Sequence, residues 1–564
     1  MRHRSSLAES AAAAAILALA CSRAPESQQG SASEKSSQGE PWFVEDARAS
    51  GLEFTYRSGA AGRWLFPEIM GGGVGLLDFD GDGWLDVYLV QGGSLEPRAE
   101  PNLPNRLYKN RGDGGFDDVT EASGAGDRGY GMGCACGDYD GDGDVDLYVT
   151  NVGPNVLLRN EGDGTFRDVS AEAGVADPSW SASAAFFDPD ADGDLDLFVV
   201  NYVRWSIASE LDCRGLDGER DYCQPNAYGA PAPDTFYRNL GGGRFRNDTA
   251  EAGFAAAYGN GLGVACSDFD GDGRVDVYVA NDMMANQLWI QGSDGRFADR
   301  ALELGCALSG TGFPESGMGV QAARIGAEGA PQICVSHMRR QTHTWYAWRA
   351  GRFVDATAEL GLALPSLPFT GFGLGIADFD GDGRLDLYVA DGRVLREAPF
   401  PDPGDPYAEQ DQLFRGTPGG RFAEVMPRGA VEGARAASSR GAAFGDLDND
   451  GDVDAVVVDR DAPCRLLRNR LGSASGWIAF RVLDERGRDA IGARVRLEAA
   501  GSVQWREVAP AASYLSSNDP RVHFALGRAG RADSVEVRWP GGATERFGSL
   551  AAGRLHELRR GGGG

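Results

Sequence analysis

The sequence is poor in the residues from which most active sites are built. It holds only five histidines in 564 residues, and no nucleophile elbow, phosphate loop or zinc-binding spacing occurs in it. His337 and His343 are the one close pair, and six positions across a strand and turn match no recognised ligand spacing. His523 stands alone in His-Phe-Ala-Leu-Gly, so no catalytic residue is assigned. Long apolar runs are scarce: Ala11 to Ala20 falls well short of the roughly 20 residues a spanning helix needs. Positive charge is short as well, with 54 Lys and Arg against 83 Asp and Glu, and the formal charge of −29 disfavours nucleic acid as a partner.

The acids are not scattered. A nine-residue pattern, Asp-x-Asp-x-Asp-Gly-x-x-Asp, recurs intact six times. Its carboxylates are Asp78, Asp80, Asp82 and Asp86; Asp138, Asp140, Asp142 and Asp146; Asp188, Asp190, Asp192 and Asp196; Asp268, Asp270, Asp272 and Asp276; Asp378, Asp380, Asp382 and Asp386; and Asp446, Asp448, Asp450 and Asp454. Four carboxylates in nine residues repel one another unless a hard cation neutralises them. Oxygens at positions 1, 3 and 5 of a tight loop turn inward, Gly at position 6 permits the sharp turn, and a later acid closes the shell. All 24 are therefore expected metal ligands, with calcium in about six sites.

No helix leads into these loops. Around the second copy, Gly131 to Gly137 enters and Val145 to Thr150 leaves, the exit alternating with β-branched and aromatic residues, so each loop joins two strands. A second signature follows at variable distance: Leu107-Tyr108-Lys109-Asn110 then Gly114-Gly115-Phe116, Leu157 to Asn160 then Gly164-Thr165-Phe166, and Phe236 to Asn239 then Gly243-Arg244-Phe245. Four strands per unit is the content of one propeller blade. A further unit is hidden, because Gly317 to Val335 aligns without gaps to Gly131 to Val149 while Arg324, Gly326, Glu328 and Gln332 replace its four aspartates. The last unit lacks a Gly-x-Phe strand, and Pro41-Trp42-Phe43-Val44-Glu45-Asp46 resembles the missing piece. The expected fold is all-β, a seven-bladed propeller over 41–470 sealed by its own N-terminal strand, which leaves no open sheet edge.

Residues 1–21 read as a signal peptide, with Ala18-Leu19-Ala20-Cys21 resembling a lipobox that makes Cys21 a lipidation site, and 22–40 as a flexible tether. The protein is then exported, as an outer-membrane or surface lipoprotein or in periplasmic or secreted form, with membrane contact only through that anchor. Cys213 and Cys223 lie in the longest insertion, about 203–233, and are expected to form a disulfide; Cys134, Cys136, Cys266 and Cys334 read as small buried hydrophobes. From Trp477 the chain changes to alternating strands without acidic loops, so 471–560 is expected to be a small β-sandwich-like domain.

The propeller units resemble FG-GAP or VCBS repeats, the type found in integrin α-subunit heads. The tail, with Ile491-Gly492-Ala493-Arg494, Tyr514-Leu515-Ser516-Ser517, His523 to Gly527 and Trp539-Pro540-Gly541-Gly542, resembles the ASPIC/UnbV domain. The combination is similar to the CRTAC-type family, whose members the resemblance implies to be extracellular or envelope calcium-binding propellers. The expected function is an exported calcium-binding scaffold for a glycan or protein ligand, with the insertion's Trp205, Tyr222 and Tyr228 as its best recognition surface. Two alternatives stand beside it: a propeller enzyme (lyase, hydrolase or oxidoreductase) with a site near the central channel, and a structural partner of an envelope or biosynthetic complex.

Overall fold

A computed structural model describes residues 41–215, 217–471 and 476–563. The signal-like start, the tether and Cys21 lie outside the described residues. Among those described, no helix is long and apolar enough to cross a membrane.

The chain is all-β. Seven four-stranded antiparallel sheets follow one another before residue 470. Sheet 1 is Val74–Leu77, Asp86–Leu89, Arg106–Asn110 and Phe116–Asp118. Sheets 2 to 4 open with Gly131–Gly137, Ser181–Phe187 and Gly261–Ser267, and sheets 5 to 7 with Gly317–Ile325, Gly371–Ala377 and Ser439–Gly445. Each opening strand packs on the next, and that of sheet 1 packs on that of sheet 7, so the succession closes into a ring. The fourth strand of sheet 7 is Phe43–Glu45, with Phe43 opposite Asn469.

Residue choice follows distance from the axis. Opening strands are rich in small residues because they converge there: a Cβ on Gly319 would lie 2.2 Å from the Phe372 carbonyl oxygen, and one on Gly441 2.4 Å from that of Gly72. Second strands such as Asp146–Asn151 are buried throughout, whereas outer strands such as Phe166–Asp168 bury only their aromatic residue. Short helical turns carry the chain onward, and the first ends at Gly124, whose φ of 71° a side chain would strain.

The tail builds a three-stranded sheet (Val522–Gly527, Gly476–Leu483 and Leu555–Arg559) and a four-stranded one (Ser502–Glu507, Arg494–Ala499, Arg531–Arg538 and Thr544–Ala551). They enclose Ile478, Phe480, Val495, Leu497, Val535 and Trp539. Between Ser502–Glu507 and Val522–Gly527 the chain leaves this core and runs into the ring. Ser513 exchanges backbone hydrogen bonds with Val320 of sheet 5; the Leu515 carbonyl accepts from Cys134 N of sheet 2; Ser517 donates to the Val74 carbonyl of sheet 1 and accepts from Leu76 N. Tyr514 and Leu515, neither exposed, join Met132, Ala182, Leu262, Met318 and Phe372 in one apolar core. The tail segment thus fills the ring axis with apolar side chains of its own.

The 203–233 insertion also differs from its expected role. Cys213 and Cys223 are disulfide-bonded, but Tyr222 is buried and donates to Glu68 Oε2, while Trp205 and Tyr228 are half-buried with Phe66 and Trp180 beside them. Its aromatics are committed to covering the ring core.

Candidate metal loops and the face they share

Each Asp loop joins the first and second strands of its sheet, and its own backbone orders most of its oxygens. Asp138 Oδ1 and Oδ2 accept from Gly141 N (2.8 Å) and Gly143 N (3.0 Å), and Asp142 Oδ1 accepts from Asp144 N at 3.0 Å. The position-9 acid is a clasp: Asp86 Oδ2 accepts from Phe79 N (3.0 Å) and Oδ1 from Asn110 N (2.7 Å), tying loop to third strand. Asp146 and Asp276 repeat it.

Oxygens are left over. Asp78, Asp140, Asp188 and Asp448 each bury an Oδ1 with no hydrogen-bond partner. Asp78, Asp80 and Asp82 bring one oxygen each within 4.8 Å of the others, as do Asp188, Asp190 and Asp192; in three further loops the trio is positions 1, 3 and 9, namely Asp138, Asp140, Asp146; Asp268, Asp270, Asp276; and Asp378, Asp380, Asp386. Carboxylate oxygens converging in threes, with one buried and unpartnered oxygen in four of the six loops, suit a hard cation, so these loops could hold metal ions.

Burial dominates their electrostatics, with neighbouring carboxylates adding to it. It pushes the carboxyls of Asp86, Asp196 and Asp276 up to about 8 and that of Asp378 to about 7, and raises Asp146, Asp386 and Asp454 well above the ordinary range.

An asparagine staple escaped the sequence reading, although its signal was there in the Tyr-Lys-Asn and Leu-Arg-Asn ends of third strands. Asn110 Nδ2 donates to the Leu85 carbonyl of its own loop and, at 2.7 Å, to that of Leu447 in the loop of sheet 7; Asn160 reaches Phe79 and Asn239 reaches Tyr139 in the same way. Neighbouring loops are thereby stapled around the ring.

Family models match this organisation. The FG-GAP-like repeat matches residues 78–149, 138–199 and 268–335, and the ASPIC and UnbV model matches 484–564. The chain carries FG-GAP-like repeats and a C-terminal ASPIC and UnbV domain. It is 26% identical over 341 residues to cartilage acidic protein 1 of Mus musculus, covering 50% of this chain and 52% of that protein, and 26% identical to that of Homo sapiens, covering 50% of each. The chain spans about half the length of the curated relatives it matches. Among solved structures, an Agrocybe aegerita lectin recognising non-reducing terminal N-acetylglucosamine is similar at a TM-score of 0.34 and 14% identity, covering 71% of this chain and 96% of that one. YCF48 bound to D1 peptide is similar at 0.40 and 8%, covering 71% and 91%.

The ASPIC and UnbV domain docks on the face that carries the FG-GAP-like loops, and it brings arginines. Arg494 Nη1 lies 2.9 Å from Asp268 Oδ2. Arg521 donates to the Asp446 carbonyl (2.6 Å) and to Asn449 Oδ1 (2.7 Å). Arg486 pairs with Asp194 at 3.2 Å, Arg488 wedges against Gly141 and Gly193, and Arg481 and Arg506 sit close enough to Asp78 and Asp378 to favour their ionised forms.

Sheet 5 reverses the arrangement. Arg324, where the other sheets have a first aspartate, is buried and pairs with the tail's Glu507 at 3.0 Å, while its Nη2 donates to Ser267 Oγ and the Asp268 carbonyl. Arg324→Gln leaves the partly buried Glu507 with only the Ser267 hydroxyl among the described residues and is expected to cost about 3 kcal/mol, equally with calcium and with chelator, whereas the cost of Arg494→Gln should change between them. Urea midpoints of both variants in the two media check this; a calcium-dependent Arg324 effect would show that the pair is no fixed contact.

The two histidines are adjacent, His337 N donating to His343 Nδ1 at 3.2 Å. His337 and His343 are wholly buried, their Nε2 atoms facing different acids, Glu315 and Asp391, each at 3.8 Å. His523 rests on Asp519 at 3.2 Å, beside the loop of sheet 7.

Proposed function

We propose that the protein is an exported, calcium-binding β-propeller of seven blades that acts as a rigid scaffold for a glycan or protein ligand. The observation that carries the reading is the convergence of aspartate oxygens in the FG-GAP-like loops, one of them buried and unpartnered in four loops. Calcium supplies there a hard positive charge that neutralises carboxylates the fold has buried, and positions 1, 3, 5 and 9 of each loop would hold it. The disulfide in the insertion supports an oxidising compartment, and Cys21 would anchor the chain as a lipoprotein.

Metal analysis of the purified protein after dialysis against calcium is expected to give about six ions per chain, displaced by chelator. Binding of fewer than two would sink the reading.

A further inference from the structure

A cavity of about 420 Å³ lies between sheets 5 and 6 and the tail strand Ser502–Glu507. It opens beside the hairpin in which sheet 5 has no aspartate loop, and its lining inverts the character of the chain. The whole sequence carries a formal −29, yet five arginines line this cavity against one acid, Glu359, together with three tryptophans.

Some of those arginines are already engaged. Arg349 pairs with Glu359 at 2.7 Å, Arg324 with Glu507 at 3.0 Å, and Arg384 with Asp382. Arg421 and Arg506 are different. Arg421 donates to the Glu359 carbonyl, and Arg506 donates to the Trp505 carbonyl at 2.9 Å and lies over the Phe524 ring at 5.2 Å. Arg506 also donates to Gln504 Oε1 at 3.5 Å and faces Asp378, and Arg421 lies beside the Glu359 carboxylate; neither is held in a closer ion pair among the described residues, which leaves guanidinium N–H groups for a ligand. A guanidinium fork matches a planar carboxylate or a sulfate. Beside them Trp348 and Phe422 are half-buried and show part of their rings, over a floor made by the fully buried Trp345.

Cations beside ring faces, in a cavity within the roughly 300–1,000 Å³ range of small-ligand sites, suit a sugar that carries negative charge. We propose that this cleft binds an acidic glycan, uronate- or sulfate-bearing, with Arg421 and Arg506 holding the anion and Trp348 and Phe422 stacking on the sugar rings. The inference rests on the scaffold reading and gives it a ligand class. The aspartate loops contribute only Gly383, Arg384 and Leu385 to the cavity wall, so no expected metal ligand forms part of it.

The test is a tryptophan-fluorescence titration of the purified protein, below its melting temperature, in calcium and in chelator. The probes are a heparin-derived tetrasaccharide and an oligogalacturonate, with a neutral malto-oligosaccharide and a poly-glutamate peptide as controls. The expected result is a saturable change with an acidic saccharide in both media, at least tenfold weaker in Arg421→Gln and in Trp348→Ala, whose exposed and half-exposed positions leave folding intact. Response to the peptide alone, or to neither saccharide, overturns the assignment. Saccharide binding that vanishes in chelator and ignores both variants also overturns it, while leaving the calcium scaffold standing; loss of the scaffold itself is read separately from the ion count.

Discussion

Stripping divalent ions from the purified protein is expected to lower its melting temperature by about 15 °C. At free calcium a hundredfold above Kd, one site contributes about 2.7 kcal/mol, and six contribute about 16 kcal/mol. With an unfolding entropy near 2.1 cal/mol/K per residue, a folded region of this length converts that into the stated shift. The effect should grow with pH. Asp86, Asp196 and Asp276 are held up to about 8 by burial, against about 3.9 when unfolded. A carboxyl raised on folding contributes stability that is complete below its unfolded value and is lost as pH climbs through the folded one. Chelated protein should therefore lose stability steadily between about pH 4 and 8, whereas calcium, by favouring the ionised forms, flattens or reverses that slope. Calorimetry across this range in both media decides the matter; equal melting temperatures at pH 8 would mean that the loops hold no stabilising ion.

Leu515→Asp should prevent the native ring from forming. Leu515 is not exposed and sits at the axis among Met132, Ala182 and Leu262, where an unpaired carboxylate carries a desolvation cost of several kcal/mol. The milder Leu515→Ala is expected to cost about 3 kcal/mol through the cavity it leaves. Soluble yield and guanidinium midpoints report both. An aspartate variant as stable as the parent would mean that the tail segment does not fill the ring.

What could be read in the sequence was local or repeated. Three aspartates two positions apart around a glycine converge because the loop is short, whatever the rest of the chain does. Sheet 5 was recognisable without its acids, because the glycines and small residues of Gly317 to Val335 answer to crowding at the axis and not to the metal. What faces the loops could not be read. Arg481, Arg488, Arg494, Arg506 and Arg521 follow no shared spacing, and their targets lie from 72 to about 400 positions away. Tyr514-Leu515-Ser516-Ser517 stood out as a motif of the tail, but alternation records only which face of a strand is apolar, and this segment buries its apolar residues in the other domain. The aromatic insertion misled for a related reason: tryptophan and tyrosine in a polar loop suggest a recognition surface until the core beneath them is seen.

The strand Phe43–Glu45 gives the chain a timetable. It is the first part of the ring to be synthesised, and its partner, Arg465–Asn469, is the last, with 426 positions between Phe43 and Asn469. At about 5–20 residues per second of synthesis, the opening strand waits between about 20 and 85 s for the residues that complete its sheet, and the segment that fills the axis arrives later still. A ring whose two ends share one sheet cannot close before its C-terminal strand has been made, so its closure is the last step that synthesis permits.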